Sequence, residues 1–224
     1  MPLLLIASPA VALAAAAPAP TRDGVGKVVS LVPTLFGTMP DGPTVALVKL
    51  DEVRLDMTLM TAARASAQIV FVGGVQGTLI MGADSKVVFD QWVVWQGTRE
   101  IELRTLVGKF LVFFMPQTQG HAAGKVTIRT PAGKLELHGT AACVEVAPDG
   151  ATTIAVLEGL VIFKGAAGAE VQLPKGAWTK VVPGKPPTVR SRGAPAFDLP
   201  AQLLVEDPPH LDLLRVNLPK AGRR

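Results

Sequence analysis

The chain of 224 residues, with 22 Lys+Arg and 18 Asp+Glu, suits one large domain or a domain with a tail, and its 49% apolar and 18% charged content excludes a disordered polyelectrolyte. A single cysteine excludes an internal disulfide and a cysteine-based zinc site, and the three histidines are too far apart in sequence for ligand spacing. The formal net charge of +4 is concentrated at one end: residues 175–224 hold nine basic and four acidic side chains, whereas residues 1–174 are close to neutral.

Residues 1–20 read MPLLLIASPAVALAAAAPAP. Leu3 to Ile6 and Val11 to Leu13 are apolar, and Ala12-Leu13-Ala14 and Ala14-Ala15-Ala16 fit the small-x-small pattern of a signal-peptidase site. The stretch is too short and too rich in Ala and Pro for a membrane anchor. It is read as a signal peptide, although Met-Pro replaces the usual basic start. Cleavage between Ala14 and Ala19 is expected, and with it a periplasmic or secreted bacterial protein.

From Gly24 to Val182 short runs rich in Val, Ile, Leu, Phe and Thr alternate with Gly-centred turns, which predicts an all-β domain of many short antiparallel strands, a sandwich or a β-roll. The predicted strands are 26–32, 67–72, 78–81, 86–95, 99–105, 109–115, 125–130, 134–138, 141–146, 152–158, 161–163, 170–173 and 178–182. A short helical turn is expected at Met57–Ala65. Pro131-Ala132-Gly133, Pro148-Asp149-Gly150 and Pro174-Lys175-Gly176 each combine a preset φ with a residue tolerant of positive φ, and each is read as a hairpin turn. In Lys134-Leu135-Glu136-Leu137-His138 the leucines point inward, so His138 falls on the solvent side. By the same alternation Ile101 and Leu103 face in.

Ordered motifs across 24–182 resemble the FecR domain, the periplasmic module of regulators that sense ferric-siderophore transport. Ala67-Gln68-Ile69-Val70-Phe71 resembles its "aqIvf" strand, and Leu79-Ile80-Met81-Gly82-Ala83-Asp84-Ser85-Lys86-Val87 its "l-x-l-G-x-x-S-x-v" segment. Leu106-Val107-Gly108-Lys109-Phe110 is similar to the "l-x-x-G-x-f" hairpin. The most specific part joins Thr130, Pro131 and Gly133 to His138-Gly139-Thr140 and then to Glu158-Gly159, where the family reads "TP-x-G … v-R-G-T … v-x-e-G-x-v". His138 departs from the usual Arg. The resemblance implies a noncatalytic domain outside the cytoplasm. The family's regulators also carry a helical anti-sigma segment and a transmembrane helix. No run of eighteen apolar residues follows Gly24, so no stable transmembrane anchor is expected.

No residue cluster points to a reaction. Cys143 lies among small and apolar residues, with His138 at opposite strand parity, and is read as a buried thiol. Asp51, Glu52 and Asp56 lack the pattern of a calcium loop, and Gly73-Gly74 lacks the Lys-Ser/Thr of a phosphate loop. No catalytic residue, metal or cofactor is therefore assigned. Trp92 and Trp95, of opposite parity in one strand, are candidates for a binding surface, with core packing the alternative.

Residues 183–224 form a Pro-rich basic tail holding eight of the 19 prolines, and the domain boundary is placed near Pro183. Its basic residues are dispersed, which argues against nucleic-acid binding. Leu211 and Leu213 belong to apolar patches flanking Pro208-Pro209. These patches suit strand addition to a partner or folding back onto the body. The expected function is a noncatalytic exported module that binds an envelope protein through a sheet edge or the tail, with cell-wall or exopolysaccharide glycan binding as the alternative.

Overall fold

The computed structural model describes residues 24–72, 77–95, 98–114, 125–166, 168–191 and 193–197. The expected leader, Gly73-Gly74, His121, His210, Leu211, Leu213 and the side chain of Trp95 lie outside the described residues.

Among the described residues fourteen strands follow in chain order: β1 (Gly24–Val32), β2 (Leu35–Thr38), β3 (Thr44–Leu47), β4 (Glu52–Arg54), β5 (Thr58–Thr61), β6 (Ser66–Phe71), β7 (Gly77–Met81), β8 (Lys86–Trp95), β9 (Thr98–Phe114), β10 (Lys125–Thr130), β11 (Gly133–Val146), β12 (Thr152–Gly165), β13 (Glu170–Pro174) and β14 (Trp178–Val181). All pairings are antiparallel except β9 with β10, whose parallel register runs from Lys125↔Glu100 to Arg129↔Arg104. Among the described residues there is no helix, and the short helical turn expected at Met57–Ala65 is instead β5 and a turn. The sequence around Thr58 alternates buried and half-buried residues because β5 is held between β2 and β8.

The three long strands change partners along their length, and this folds one continuous hydrogen-bonded sheet into two layers. The first half of β9 pairs with β8 and β10, and its second half, from Gly108, with β7 and β11. The first half of β11 lies beside β10 and the end of β12; its second half lies beside β9 and the start of β12. The end of β12 carries β13 and its start carries β14. Sheet I is therefore β3-β2-β5-β8-β9-β10-β11-β12-β13, and sheet II is β4-β1-β6-β7-β9-β11-β12-β14. Runs predicted as separate strands on either side of Gly108, Gly139 and Gly159 are halves of single strands. The glycines mark bends rather than chain reversals.

The inner faces supply one core. Leu79, Met81, Phe110, Val112 and Val144 of sheet II meet Phe89, Leu103, Ile128, Leu135 and Phe163 of sheet I. Phe71 of β6 crosses the interface: its ring stacks on Phe114 at 4.9 Å and touches Phe89 at 6.1 Å and Trp92 at 5.4 Å of the opposite layer. Burial of these side chains at about 25 cal/mol per Å² of apolar surface is the main force holding the layers together.

Two of the expected turns are hairpins. Pro131-Ala132 joins β10 to β11, and Pro148-Asp149-Gly150 joins β11 to β12, with Asp149 Oδ1 accepting the Ala151 N–H at 2.9 Å. The turn at Lys175-Gly176 is not a hairpin. β13 and β14 do not pair with each other but follow the same strand, β12, in succession. The Gly176 N–H donates to Val156 O at 2.8 Å, and Val156 N–H to Ala177 O at 3.0 Å, so the chain stays zipped to β12 around its bend.

Candidate functional site

The motif residues Thr130, Pro131, Gly133, His138, Gly139, Thr140, Glu158 and Gly159 converge on the β10–β11 hairpin and the β11–β12 bend. Gly139 and Gly159 face each other there at φ 56° and 77°. A Cβ on Gly159 would sit 2.1 Å from Gly139 O, so no side chain fits. Thr140, fully buried, donates its hydroxyl to Leu160 O at 2.8 Å and accepts the His138 N–H at 2.9 Å, which satisfies two backbone groups that the register shift leaves unpaired. Thr130 Oγ1 bonds Gly133 O at 3.1 Å and meets Thr152 Oγ1 at 3.1 Å. Glu158 takes Lys175 Nζ at 2.6 Å across the same corner. His138 projects outward and is exposed, as its strand parity requires. The cluster therefore builds a corner and presents no nucleophile with a base.

A second structural device involves Ser85. Its hydroxyl accepts the Lys109 N–H at 2.9 Å beside Gly108, whose φ of 111° and lack of Cβ let Ser85 approach. Thr61 Oγ1 donates to Gly82 O at 2.6 Å and accepts the Ser85 N–H at 3.0 Å.

Cys143 is buried on β11, and burial pushes its thiol up to about 12, far from a reactive thiolate. Trp92 leans on the core, 6.3 Å from Phe89 and 5.4 Å from Phe71. A register shift between Phe89 and Gln91 reverses the parity and pairs Trp92 with inward-facing Ile101, a bulge that no sequence pattern announces. Among the described residues no group of three or more His, Cys, Asp or Glu is placed to hold a metal ion. No helix among them is long and apolar enough to cross a membrane.

The outer face of sheet I carries a charge ladder. Arg104, Arg129, Lys134 and Lys164 lie side by side across β9, β10, β11 and β12. Like charges in register repel, and acids on neighbouring rows relieve this. Asp90 takes Arg104 at 2.8 Å, Glu102 takes Arg129, and Glu136 takes Lys164 at 3.2 Å and Lys125 at 3.5 Å. Partial burial pushes the Glu136 carboxyl up, but Lys164 and Lys125 outweigh it and hold it below its ordinary value. Gln91, Glu100, Glu102, Lys125, Thr127 and Lys134 line a shallow, open depression of about 250 Å³ in this ladder.

The sheet edges differ. β4 at one end of sheet II exposes Glu52 and Arg54, and β13 at one end of sheet I exposes Glu170 and Gln172. β14 is covered: Trp178 and Arg190 exchange two backbone hydrogen bonds of 2.8 Å, and the Arg190 guanidinium lies 5.1 Å from the Trp178 ring centre. Among the described residues β3 pairs with β2 alone, and it exposes Thr44, Val45 and Ala46 with no charge. Val45, Val48 and Leu50 beside it are 46%, 60% and 68% exposed, and Leu50 sits at a φ of 77° that a leucine rarely adopts.

Residues 57–162, from the start of β5 into β12, match the family model described as FecR protein. Over that segment, just under half of its length, the chain is similar to the FecR family. The corner residues from Thr130 to Gly159 fall inside the match, while β1 to β4, β13 and β14 lie outside it yet are hydrogen-bonded into the same sheet. Two crystal structures of a "putative anti-sigma factor" from Parabacteroides distasonis ATCC 8503 are similar at 12% identity and a TM-score of 0.49. The likeness covers 61% of this chain and 60% of theirs. Among curated proteins none matches.

Proposed function

We propose that this FecR-like protein is a noncatalytic, exported module that binds a protein partner in the bacterial cell envelope and takes part in signalling there. The family match supports the setting. The observation that carries the binding mode is the β3 edge. Charged residues protect β4 and β13, and chain residues cover β14, as proteins usually arrange to prevent strand addition. Among the described residues β3 has neither protection, and Val45 within it and Val48 and Leu50 just beyond it leave apolar side chains exposed beside its open backbone edge. Main-chain hydrogen bonds would supply affinity there, and the valines the side-chain selectivity.

The test is the pair Val45→Lys and Val48→Lys, which gives β3 the charge that the other edges already have. Recovery of the partner from envelope extract on the tagged protein should fall at least about tenfold, with the thermal midpoint unchanged. Equal recovery by the variant and the parent would sink the β3 reading.

A further inference from the structure

The outer face of sheet II carries a row of side chains as buried as a core. Hydrogen-bonded neighbours in register share a face, so the row Gln68–Ile80–Leu111–Cys143–Ala155–Trp178 runs straight across β6, β7, β9, β11, β12 and β14, pointing away from sheet I. Ile80 and Leu111 are 2% and 3% exposed, although the continuous core between the layers includes neither. The next row holds Thr78, Phe113 and Ala141 and is also apolar or small. Phe113 and Trp178 are both engaged rather than free. At the start of the row, Gln68 is 2% exposed and its Oε1 has no hydrogen-bond partner. A carbonyl oxygen buried without a donor costs about 1–3 kcal/mol, so this face is built to receive something that carries N–H groups.

The chain itself leads there. After β14 it turns at Pro183-Gly184 and returns along the β14 edge, where Thr179 Oγ1 donates to Thr188 O at 2.9 Å and Arg190 pairs with Trp178, the last member of the row. Beyond Arg190, Pro195 and Phe197 are half-buried while Ala194 and Ala196 are exposed. A further 27 residues follow Phe197, and they include Leu203, Leu204, Val205, Leu211, Leu213 and Leu214. The row spans five strand spacings, roughly 24 Å, which about eight extended residues would cross.

We propose that residues 198–224 lie across the outer face of sheet II, seating their leucines on Ile80, Leu111 and Cys143 and donating a hydrogen bond to Gln68 Oε1. The tail is then a part of the fold that shields an apolar sheet face, and its removal would open a second protein-binding surface distinct from the β3 edge.

Cys143, in the middle of the row, is the probe. In the full chain it should resist a maleimide under native conditions. The full-chain variant Leu204→Asp/Leu214→Asp, and a chain ending at Phe197, should label at least about tenfold faster while still unfolding cooperatively, because covering residues rather than global unfolding would control access. Adding a peptide of residues 198–224 to the shortened chain should restore protection. In the unmodified chain, an amine cross-linker should join Lys220 to Lys109 or Lys180, which flank the row, and not to Lys125 or Lys134 of sheet I. That measurement decides if both variants fail to fold. Unchanged labelling in folded variants, or cross-links from Lys220 only to sheet I, overturns the proposal. Protection that disappears on dilution of the full chain also overturns it, since the cover would then be a second copy.

Discussion

The two outer faces of this folded sheet are built from the same strands and behave in opposite ways. On sheet I, β9, β10, β11 and β12 set Arg104, Arg129, Lys134 and Lys164 in a row, with Glu102 and Glu136 on the next. On sheet II, β9, β11 and β12 set Leu111, Cys143 and Ala155 in a row. The bend near the middle of each strand separates a half whose outer face is charged from a half whose outer face carries a buried apolar row. Alternating polarity marks a sheet with one face in water, and apolar residues on both faces mark one covered on both sides. The lesson is that a single strand can belong to both kinds, with a glycine as the border.

The sharpest way to break this arrangement is at the border itself. Gly159→Val places a Cβ against Gly139 O at a positive φ, and it should destabilise by more than about 3 kcal/mol, read as a lower urea midpoint in one cooperative transition. A variant with an unchanged midpoint would show that the bend tolerates a side chain. Next in size is Leu111→Ala on the outer face of sheet II. If that face is a second core, the loss should be about 2–4 kcal/mol, whereas a leucine on an open face would cost far less.

Thr140→Val removes the hydroxyl that serves His138 N–H and Leu160 O while keeping its shape. A loss of about 1–2 kcal/mol is expected, and thermal and urea unfolding should agree on it. The outer face of sheet I should respond least. Glu102→Ala removes the partner of Arg129, whose side chain is half in solvent, and the cost should stay under about 1 kcal/mol and shrink further in 1 M salt.

Acid titration separates the faces in another way. Because Lys164 and Lys125 hold the folded Glu136 carboxyl below its ordinary value of 4.5, its contribution is present above that pH and is lost as the pH falls through the folded value. Glu136→Gln should therefore flatten the stability profile below about pH 4.5 and leave the profile above it parallel to that of the parent. A parallel curve throughout would mean that the ladder adds nothing to folding.

Much of the fold was legible because local patterns and tertiary contacts agree. Lys134 to His138 alternates strictly, and Leu135 and Leu137 are buried while His138 is exposed. The runs 86–95 and 125–130 coincide with β8 and β10. β2, β3 and β4 escaped sequence reading because they have only three or four residues, too few for periodicity to rise above chance. Met57–Ala65 suggested a helical turn for the same reason. The corner residues were found through the family motif, yet their task of opposing Gly139 to Gly159 is visible only once β11 and β12 are paired. The β3 edge left no signal at all, since an edge is defined by the strand that is missing beside it.

The amino-acid order by itself determined the strand-rich domain, the turns at Pro131-Ala132 and Asp149-Gly150, and which residues face inward along each regular strand, because φ preferences and alternation act over a few residues. Tertiary structure alone decided that Gly108, Gly139 and Gly159 bend continuous strands, that Lys175-Gly176 follows β12 instead of reversing, that Trp92 turns inward at a bulge, and that Ile80, Leu111 and Cys143 form a buried outer row. Each of these depends on which strand lies alongside. Pairing between strands distant in sequence is settled by the burial the whole sheet achieves, a quantity that no short window of sequence contains.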